Sequence, residues 1–265
     1  MSNNYEIDKA NENKLLIAKI EDKYNFAITR NKITYSDFLN INEISIVKRY
    51  LKEENINNYI IYGGKEETDR SIIIFYPEKF SIDMVEKNYN KILNLISIRL
   101  PNELNYEHRE YLSGIMKLGI KREKFGDIIV LDDVNGADII CLSEVSKFLI
   151  DGLKELTRFR KAEITLESID NIKDVKPNFE EVSFIVTSIR LDNFVSEIAR
   201  CSRSKAEEII ESGRVFINSQ NEFKTSKKIN INDIITVRGK GKYIFDSIER
   251  ETKSGKQVVI MKKYI

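Results

Sequence analysis

The chain has 265 residues, of which 42% are hydrophobic and 32% charged, and its 43 Lys and Arg nearly balance its 42 Asp and Glu. This length predicts two or three compact units. No run approaches the roughly 18 apolar residues of a membrane span. The first residues, MSNNYEIDKANENK, lack a basic region followed by an apolar one, so a cytoplasmic location is expected. Cys141, Cys201 and the single histidine, His108, show no metal-ligand spacing, which argues against a zinc site.

The near-neutral total hides a difference between the two parts of the chain. Residues 178–265 contain 16 Lys and Arg against 12 Asp and Glu, whereas the preceding residues have a small acidic excess. Only the C-terminal part is therefore inclined toward polyanions.

Residues 1–77 are predicted to form a small N-terminal α+β unit. Leu15, Leu16, Ile20 and Ala27 recur at helical spacing among charged residues. The patterns predict, in chain order, a helix over 5–28, caps of a short helical turn at 34–37, a helix over 43–51 and a hairpin of strands over 58–62 and 71–76.

Residues 78–176 show a more recognisable order of elements. The patterns predict a strand over 92–100, a helix over 106–118, strands over 127–131 and 137–142, an N-cap at Ser143, a helix over 145–156 and a strand over 161–169. This β-α-β-β-α-β order is that of ferredoxin-like and RNA-recognition-type (RRM-like) domains. The strand ADIICL, 137–142, has no aromatic side chain for base stacking, so RNA binding, protein binding and a structural role all stay open.

The segment 171–183 contains Pro177 and mixed charges without periodicity, and it predicts the boundary before a last domain, 181–265. That domain begins with two short amphipathic helices. Leu191, Phe194, Val195, Ile198 and Ala199 share one face of the first helix. For the second helix, Ser204 and Glu207 predict a capping box and Gly213 predicts the end; short strands follow.

Cations cluster where the second of these helices begins. Backbone N–H groups at a helix N-terminus lack intrahelical partners and favour an anion. Arg200, Arg203 and Lys205 add charge there, and Ser202 and Ser204 add hydroxyl groups. The alternative interpretation is a solvated helix end with ordinary surface ion pairs, and composition alone does not decide between them.

An ordered set of motifs gives the C-terminal part a family resemblance. The segments RLD at 190–192, SRSKA at 202–206, IESGRV at 210–215, IN at 217–218 and DII at 233–235 resemble the S4 RNA-binding module. With the helix-end argument, this resemblance gives a set of candidate RNA-binding residues. They are Arg190, Arg200, Ser202, Arg203, Ser204, Lys205, Arg214, Asn218, Arg238, Lys240 and Lys242.

The resemblance extends upstream of that module. HREYL at 108–112, LGIKREK at 118–124, GDI at 126–128 and RGKGK at 238–242 resemble the bacterial YlmH family. The resemblance implies an α+β protein with an RRM-like domain before a C-terminal S4 module. It also implies association with large ribosomal subunits stalled with peptidyl-tRNA, in ribosome-associated quality control, and a link to cell division. A second set of candidate RNA contacts is His108, Arg109, Lys121, Arg122 and Lys124.

Two other classes of function are weighed against ribosome binding. A cell-division adaptor with subsidiary RNA binding would not sediment with large subunits in a salt-sensitive way. An RNA-modifying enzyme would need a catalytic aspartate in a larger domain or a GxGxxG loop, and neither is recognisable. We therefore expect no catalytic residue, no cofactor and no metal; the expected partners are rRNA, peptidyl-tRNA and a further protein.

Overall fold

The computed structural model describes residues 2–66, 68–131, 133–173, 179–218 and 220–264. The chain divides into two compact units, Met1–Val175 and Lys176–Ile265. Pro177, the predicted domain boundary, lies outside the described residues. The further division of the first unit at residue 77 stays a prediction. Among the described residues, no helix is long and apolar enough to cross a membrane.

The first unit starts with a long helix and a small antiparallel sheet. Its elements are α1 (Ser2–Arg30), β1 (Thr34–Tyr35), β2 (Leu39–Asn40), α2 (Ile41–Glu53), β3 (Tyr59–Tyr62), β4 (Arg70–Phe75), α3 (Ile82–Glu86) and α4 (Tyr89–Ile92). Strand β4 is central, with β3 along one side and β1 and β2 on the other. Ile73 and Phe75 of β4 pack toward α1 and α2, where Ile20, Val47 and Leu51 are buried.

The predicted helical turn at 34–37 is wrong, because Thr34 and Tyr35 pair with β4 as a short strand. The Ser36 hydroxyl oxygen accepts a hydrogen bond from the Ile73 amide at 2.9 Å, so this residue completes the sheet rather than capping a helix. Asn40 is the true cap of α2: its side chain accepts from the Glu43 amide, and Glu43 accepts from the Asn40 amide.

The second half of this unit has the predicted β-α-β-β-α-β order. Its elements are β5 (Leu93–Arg99), α5 (His108–Lys117), β6 (Phe125–Val130), β7 (Gly136–Leu142), α6 (Ser143–Glu155) and β8 (Glu163–Ser168). The sheet order is β6-β7-β5-β8, and all neighbouring strands are antiparallel. This is the split βαβ topology. The predicted N-cap at Ser143 is wrong by one residue: Leu142 holds that position, and the Ser143 hydroxyl donates to the Lys91 carbonyl.

The second unit packs two short helices against one face of a six-stranded antiparallel sheet. Its elements are β9 (Phe179–Val186), α7 (Leu191–Ala199), α8 (Arg203–Glu211), β10 (Val215–Ile217), β11 (Gln220–Asn221), β12 (Ile234–Val237), β13 (Gly241–Glu251) and β14 (Gln257–Tyr264). The sheet order is β11-β10-β12-β13-β14-β9. The core lies between helices and sheet, with Phe194, Ile198 and Ala206 packed among strand residues such as Ile235 and Val259. The α+β class is confirmed; strand β9, which pairs with β14, was not predicted.

Candidate nucleic-acid interface

The predicted site is centred on the turn that joins α7 to α8. Arg200 ends α7 with a left-handed backbone, φ 51°, and an exposed side chain. The turn is fixed by the Ser196 hydroxyl, which donates to the Cys201 carbonyl at 2.6 Å, and by the Cys201 amide, which donates to the Ser196 carbonyl at 3.0 Å. The Arg200 side chain therefore projects from a constrained backbone position.

The left-handed backbone of Arg200 makes this residue a candidate functional position. A glycine adopts this conformation without steric cost, whereas other residues pay for it. Within the described part of the chain, the other non-glycine residues with positive φ are all asparagines, which tolerate the conformation better. Backbone strain of this kind is concentrated at functional positions.

Ser202 is the N-cap of α8. Its hydroxyl oxygen accepts a hydrogen bond from the Lys205 amide at 3.3 Å, and the helix begins at the next residue. The predicted capping box of Ser204 and Glu207 is therefore wrong, because Ser204 already lies within the first turn. Ser204 and Ser202 are both exposed beside the remaining helix-end amides.

Asp192 holds two of the predicted arginines together. Its side chain is fully buried, and its Oδ2 accepts hydrogen bonds from Arg190 Nη2 at 2.6 Å and from Arg203 Nη2 at 2.7 Å and Nε at 3.1 Å. Burial opposes the charged carboxylate, but the hydrogen bonds from both arginines outweigh it and lower the pKa of Asp192. The side chains of Arg190 and Arg203 stay 38% and 52% exposed. One buried carboxylate thus orients two guanidinium groups at the surface.

Lys205 makes a weaker contact. Its Nζ lies 2.6 Å from Glu208 Oε2, and both side chains are largely exposed. Exposed pairs of this kind contribute little stability. A phosphate can therefore replace Glu208 as the partner of Lys205 at small cost.

Four further predicted cations lie around the turn between β12 and β13. Arg214 and Arg238 are bound to each other's backbone, through Arg214 Nη2 to the Arg238 carbonyl at 3.1 Å and the Arg238 amide to the Arg214 carbonyl at 2.9 Å. Lys240 is exposed between Gly239 and Gly241, which both have positive φ. Lys242 is the second residue of β13, and its Nζ lies 4.6 Å from the centre of the Tyr264 ring.

Asn218 has a mainly structural set of contacts. Its side-chain amide donates to Asp233 Oδ1 at 2.8 Å, and its side-chain oxygen accepts from the Ile234 amide at 2.8 Å. These bonds close the loop between β10 and β12. A role for Asn218 in RNA binding stays a prediction.

Comparisons with known proteins match both halves of this arrangement. A family model described as "Putative RNA-binding domain in YlmH" matches residues 86–173, and the S4 domain model matches residues 189–235. The chain is 27% identical over 255 residues to the Bacillus subtilis "Ribosome-associated protein quality control protein P2", covering 94% of this chain and 91% of the relative. The resemblance to the YlmH family is confirmed. A solved structure, "Cell division protein ylmH from Streptococcus pneumoniae", is 21% identical, with a TM-score of 0.43 over 62% of this chain and 92% of that one.

In the described part of the YlmH-type domain, both faces of the central strands β5 and β7 are largely buried. One face of its sheet packs on α5 and α6, where Tyr111 and Leu149 are buried. On the other face, Leu95 and Ile140 are buried in one apolar cluster with Ile72 and Ile74 of the N-terminal sheet. RNA-recognition domains stack bases on this second face. Here that face lies inside the unit, so the absence of aromatic residues in ADIICL has a structural reason.

The polar end of the same face is also occupied. Asp138 is 1% exposed, and its Oδ1 lies 2.8 Å from Arg99 Nη1. Ser97 beside them is buried as well. This end of the sheet is therefore closed by its own side chains.

The second set of candidate contacts in the YlmH-type domain divides into two groups. His108, Arg109 and Lys121 are exposed, the first two at the start of α5. Arg122 donates to the carbonyls of Phe125 and Gly126 at 2.7 and 3.1 Å, and burial, with Arg70 nearby, lowers its pKa to about 10. Lys124 lies 2.7 Å from Asp37 and 2.8 Å from Glu144. Arg122 and Lys124 thus have structural partners, and the exposed residues are the better RNA candidates.

Sequence reasoning missed the aromatic residues of the S4 unit. Phe216, Tyr264 and Phe179 lie on the face of the sheet that points away from the helices. Each follows the inward-outward alternation of its own strand, so the signal is present locally. Their alignment across strands depends on pairing between distant segments, which the sequence does not display.

Proposed function

We propose that the protein is a non-catalytic RNA-binding protein of the cytoplasm that associates with large ribosomal subunits stalled with peptidyl-tRNA, in ribosome-associated quality control. The two RNA-binding domain matches and the name of the Bacillus subtilis relative support this proposal. A protein partner in the same process is part of the proposal.

The observation that carries the proposal is the paired geometry of α7 and α8. Arg200 projects from a strained backbone position at the helix junction, and Asp192 orients Arg190 and Arg203 nearby. Fixed guanidinium groups beside a helix N-terminus suit phosphate oxygens. Phosphate contacts position a protein without reading sequence, so the recognition is of RNA shape.

The proposal is tested with Arg200→Glu. Among the described residues, Arg200 forms no ion pair whose loss would disturb the fold, whereas Arg203 pairs with Asp192 and Glu207. We expect about tenfold or greater loss of affinity for purified large subunits carrying peptidyl-tRNA, because a charge-assisted contact becomes repulsive. The salt dependence of log affinity should fall by about one unit of slope per lost phosphate contact. Sedimentation of the full chain with subunits over a salt series measures both.

Arg49→Glu on α2 is the matched control, because Arg49 is an exposed arginine in the other unit and the charge change is identical. It should leave binding within about twofold of the unaltered chain. Equal binding by folded Arg200→Glu would contradict the proposed site. Absence of salt-sensitive sedimentation by the unaltered chain would contradict ribosome association and favour the adaptor function.

A further inference from the structure

The outer face of the six-stranded sheet in the second unit carries an ordered row of side chains. Val215, Ile217, Ile235, Val237 and Tyr243 point into the core against α7 and α8. Because side chains alternate along a strand, the residues between them point the other way. Phe216, Thr236 and Lys242 therefore lie on the face opposite the helices.

Strand register aligns these residues with others from distant parts of the chain. Phe216 pairs with Asn221 on one side and Thr236 on the other, and Thr236 pairs with Lys242. At the far edge, Tyr264 pairs with Phe179, with their ring centres 4.9 Å apart, and Lys242 Nζ lies 4.6 Å above the Tyr264 ring. We call these six residues the aromatic row: Asn221, Phe216, Thr236, Lys242, Tyr264 and Phe179. At strand spacing the row is about 24 Å long.

Cations accompany the rings of the aromatic row. The Arg238 guanidinium carbon lies 5.0 Å from the centre of the Phe216 ring, and the Arg214 side chain is bonded to the Arg238 carbonyl. The six residues of the row include no carboxylate. Beside the row on the same face, Lys262 lies 2.5 Å from Asp246 and is paired across the strands with Glu181. The row thus places part-exposed rings beside the cations Arg238 and Lys242. Phe179, at the edge of the sheet, is 40% exposed.

We propose that the aromatic row binds unpaired nucleotides of an RNA by base stacking. Every base has a face that stacks on an aromatic ring or on a guanidinium plane, and phosphates are attracted to cations beside the rings. A purely apolar protein partner would desolvate the Arg238 guanidinium group, which disfavours such a partner. The row lies on the opposite face of the sheet from Arg200 and Arg203. This second site goes beyond the phosphate contacts proposed above and does not depend on ribosome association.

The test is the affinity of the full chain for a fluorescein-labelled single-stranded adenylate decamer, measured by anisotropy. Phe216→Leu and Tyr264→Leu keep an apolar side chain but remove the ring, and each should weaken binding about tenfold. Tyr264→Phe and Phe216→Trp keep a stacking surface and should bind within about twofold of the unaltered chain. Phe148→Leu is the control, because Phe148 is a 57% exposed phenylalanine on α6 of the other unit.

A second measurement stands even where a leucine variant fails to fold. The chain has no tryptophan. Tyr264→Trp therefore introduces a single indole, and stacking of adenine on it should quench its fluorescence as the decamer is added. Phe148→Trp supplies the unquenched reference. Unchanged decamer affinity in the folded leucine variants, or equal fluorescence of Tyr264→Trp with and without decamer, would overturn the proposal.

The outcome is separable from that of the proposed function. Loss of subunit binding in Arg200→Glu together with unaltered decamer binding in the leucine variants would leave the phosphate site standing and remove the aromatic row. Unaltered subunit binding by Arg200→Glu together with weaker decamer binding by the leucine variants would support the aromatic row and contradict the phosphate site.

Discussion

The split βαβ sheet of the first unit and the six-stranded sheet of the second unit both carry two helices on one face, and they differ in what covers the other face. In the first unit, the sheet β6-β7-β5-β8 is buried on both sides, by α5 and α6 and by the N-terminal sheet. In the second unit, the sheet from β11 to β9 has α7 and α8 on one face, and Phe216, Thr236 and Lys242 lie on the other. Among the described residues, the central strands of the first sheet are largely buried on both faces, whereas Phe216 and Tyr264 on the outer face of the second sheet stay part-exposed.

This difference shows that the strand order of a sheet does not determine whether its open face is available to bind RNA. The first unit has the strand order of an RNA-recognition domain, but the face that would hold bases supplies a core instead. Any RNA contact by that unit has to come from its margins, where His108, Arg109 and Lys121 are exposed. The S4 unit keeps both helix-end arginines and strand aromatics available.

The largest expected effect on stability comes from shortening a side chain in the core between the two sheets of the first unit. Ile140→Ala removes a fully buried side chain between the two sheets of the first unit. We expect a loss of about 3 kcal/mol in the free energy of unfolding, because the cavity adds to the lost burial. RNA affinity at a temperature where the variant stays folded should be unchanged, because Ile140 is buried and is expected to make no RNA contact. Denaturant titration and anisotropy measure the two quantities.

Leu166→Ala is the control for this change, because Leu166 is 53% exposed on β8 of the same sheet. It should alter stability by less than about 0.5 kcal/mol. Weaker RNA binding by folded Ile140→Ala would break the comparison, since it would assign a binding role to the covered face.

The next largest effect is expected at Asp192 in the S4 unit. Asp192→Asn keeps the shape but removes the charge that holds Arg190 and Arg203. Stability should fall by about 2 kcal/mol because buried charge-assisted hydrogen bonds are weakened. RNA affinity should fall about tenfold as well, although the surface becomes more positive, because the two guanidinium groups lose their fixed orientation. Asp246→Asn, at a half-exposed pair with Lys262, should cost less than about 1 kcal/mol.

The Asp192 prediction has a pH dependence with a defined sign. The folded-state pKa of Asp192 is lowered, because the hydrogen bonds from its two arginines outweigh burial. Its stabilising contribution is therefore complete above the unfolded-state pKa of about 4 and is lost as the pH falls through the folded-state value. The stability difference from Asp192→Asn should shrink below about pH 4. A difference that stays constant into that range would contradict the assigned role, as would tighter RNA binding by the variant at neutral pH.

Strongly patterned segments could be predicted from the sequence, whereas segments defined by distant partners could not. The strand predicted over 92–100 is an apolar run and the first helix of the last domain has helical periodicity; both are confirmed, at Leu93–Arg99 and Leu191–Ala199. Strand β9 was missed because Glu180 and Glu181 mask its alternation and its pairing with β14 joins segments far apart in sequence. The short strand at Thr34 was mistaken for a helical turn for the same reason: its pairing with β4 decides its structure.

The candidate site shows the same limit at the level of single side chains. The sequence placed Arg200 and Arg203 at a helix junction, and the geometry agrees. It did not show that Arg203 shares Asp192 with Arg190, or that Phe216 and Tyr264 belong to one row, since both depend on three-dimensional neighbours. Charge patterns therefore indicated the candidate interface, and only packing distinguishes its exposed side chains from those bonded to other residues.

The smallest expected effect concerns the start of α8, where Ser202 and Ser204 are the two candidates for the N-cap position. Ser202→Ala removes the hydroxyl oxygen that accepts from the Lys205 amide, and it should lower the free energy of unfolding by about 1 kcal/mol. Ser204→Ala should change stability by less than about 0.5 kcal/mol, because Ser204 is an exposed residue inside the first turn. Thermal denaturation of the two variants in parallel compares them directly. A larger loss from Ser204→Ala would move the helix start by two residues, and the amides that face the proposed phosphate would then be those of a different turn.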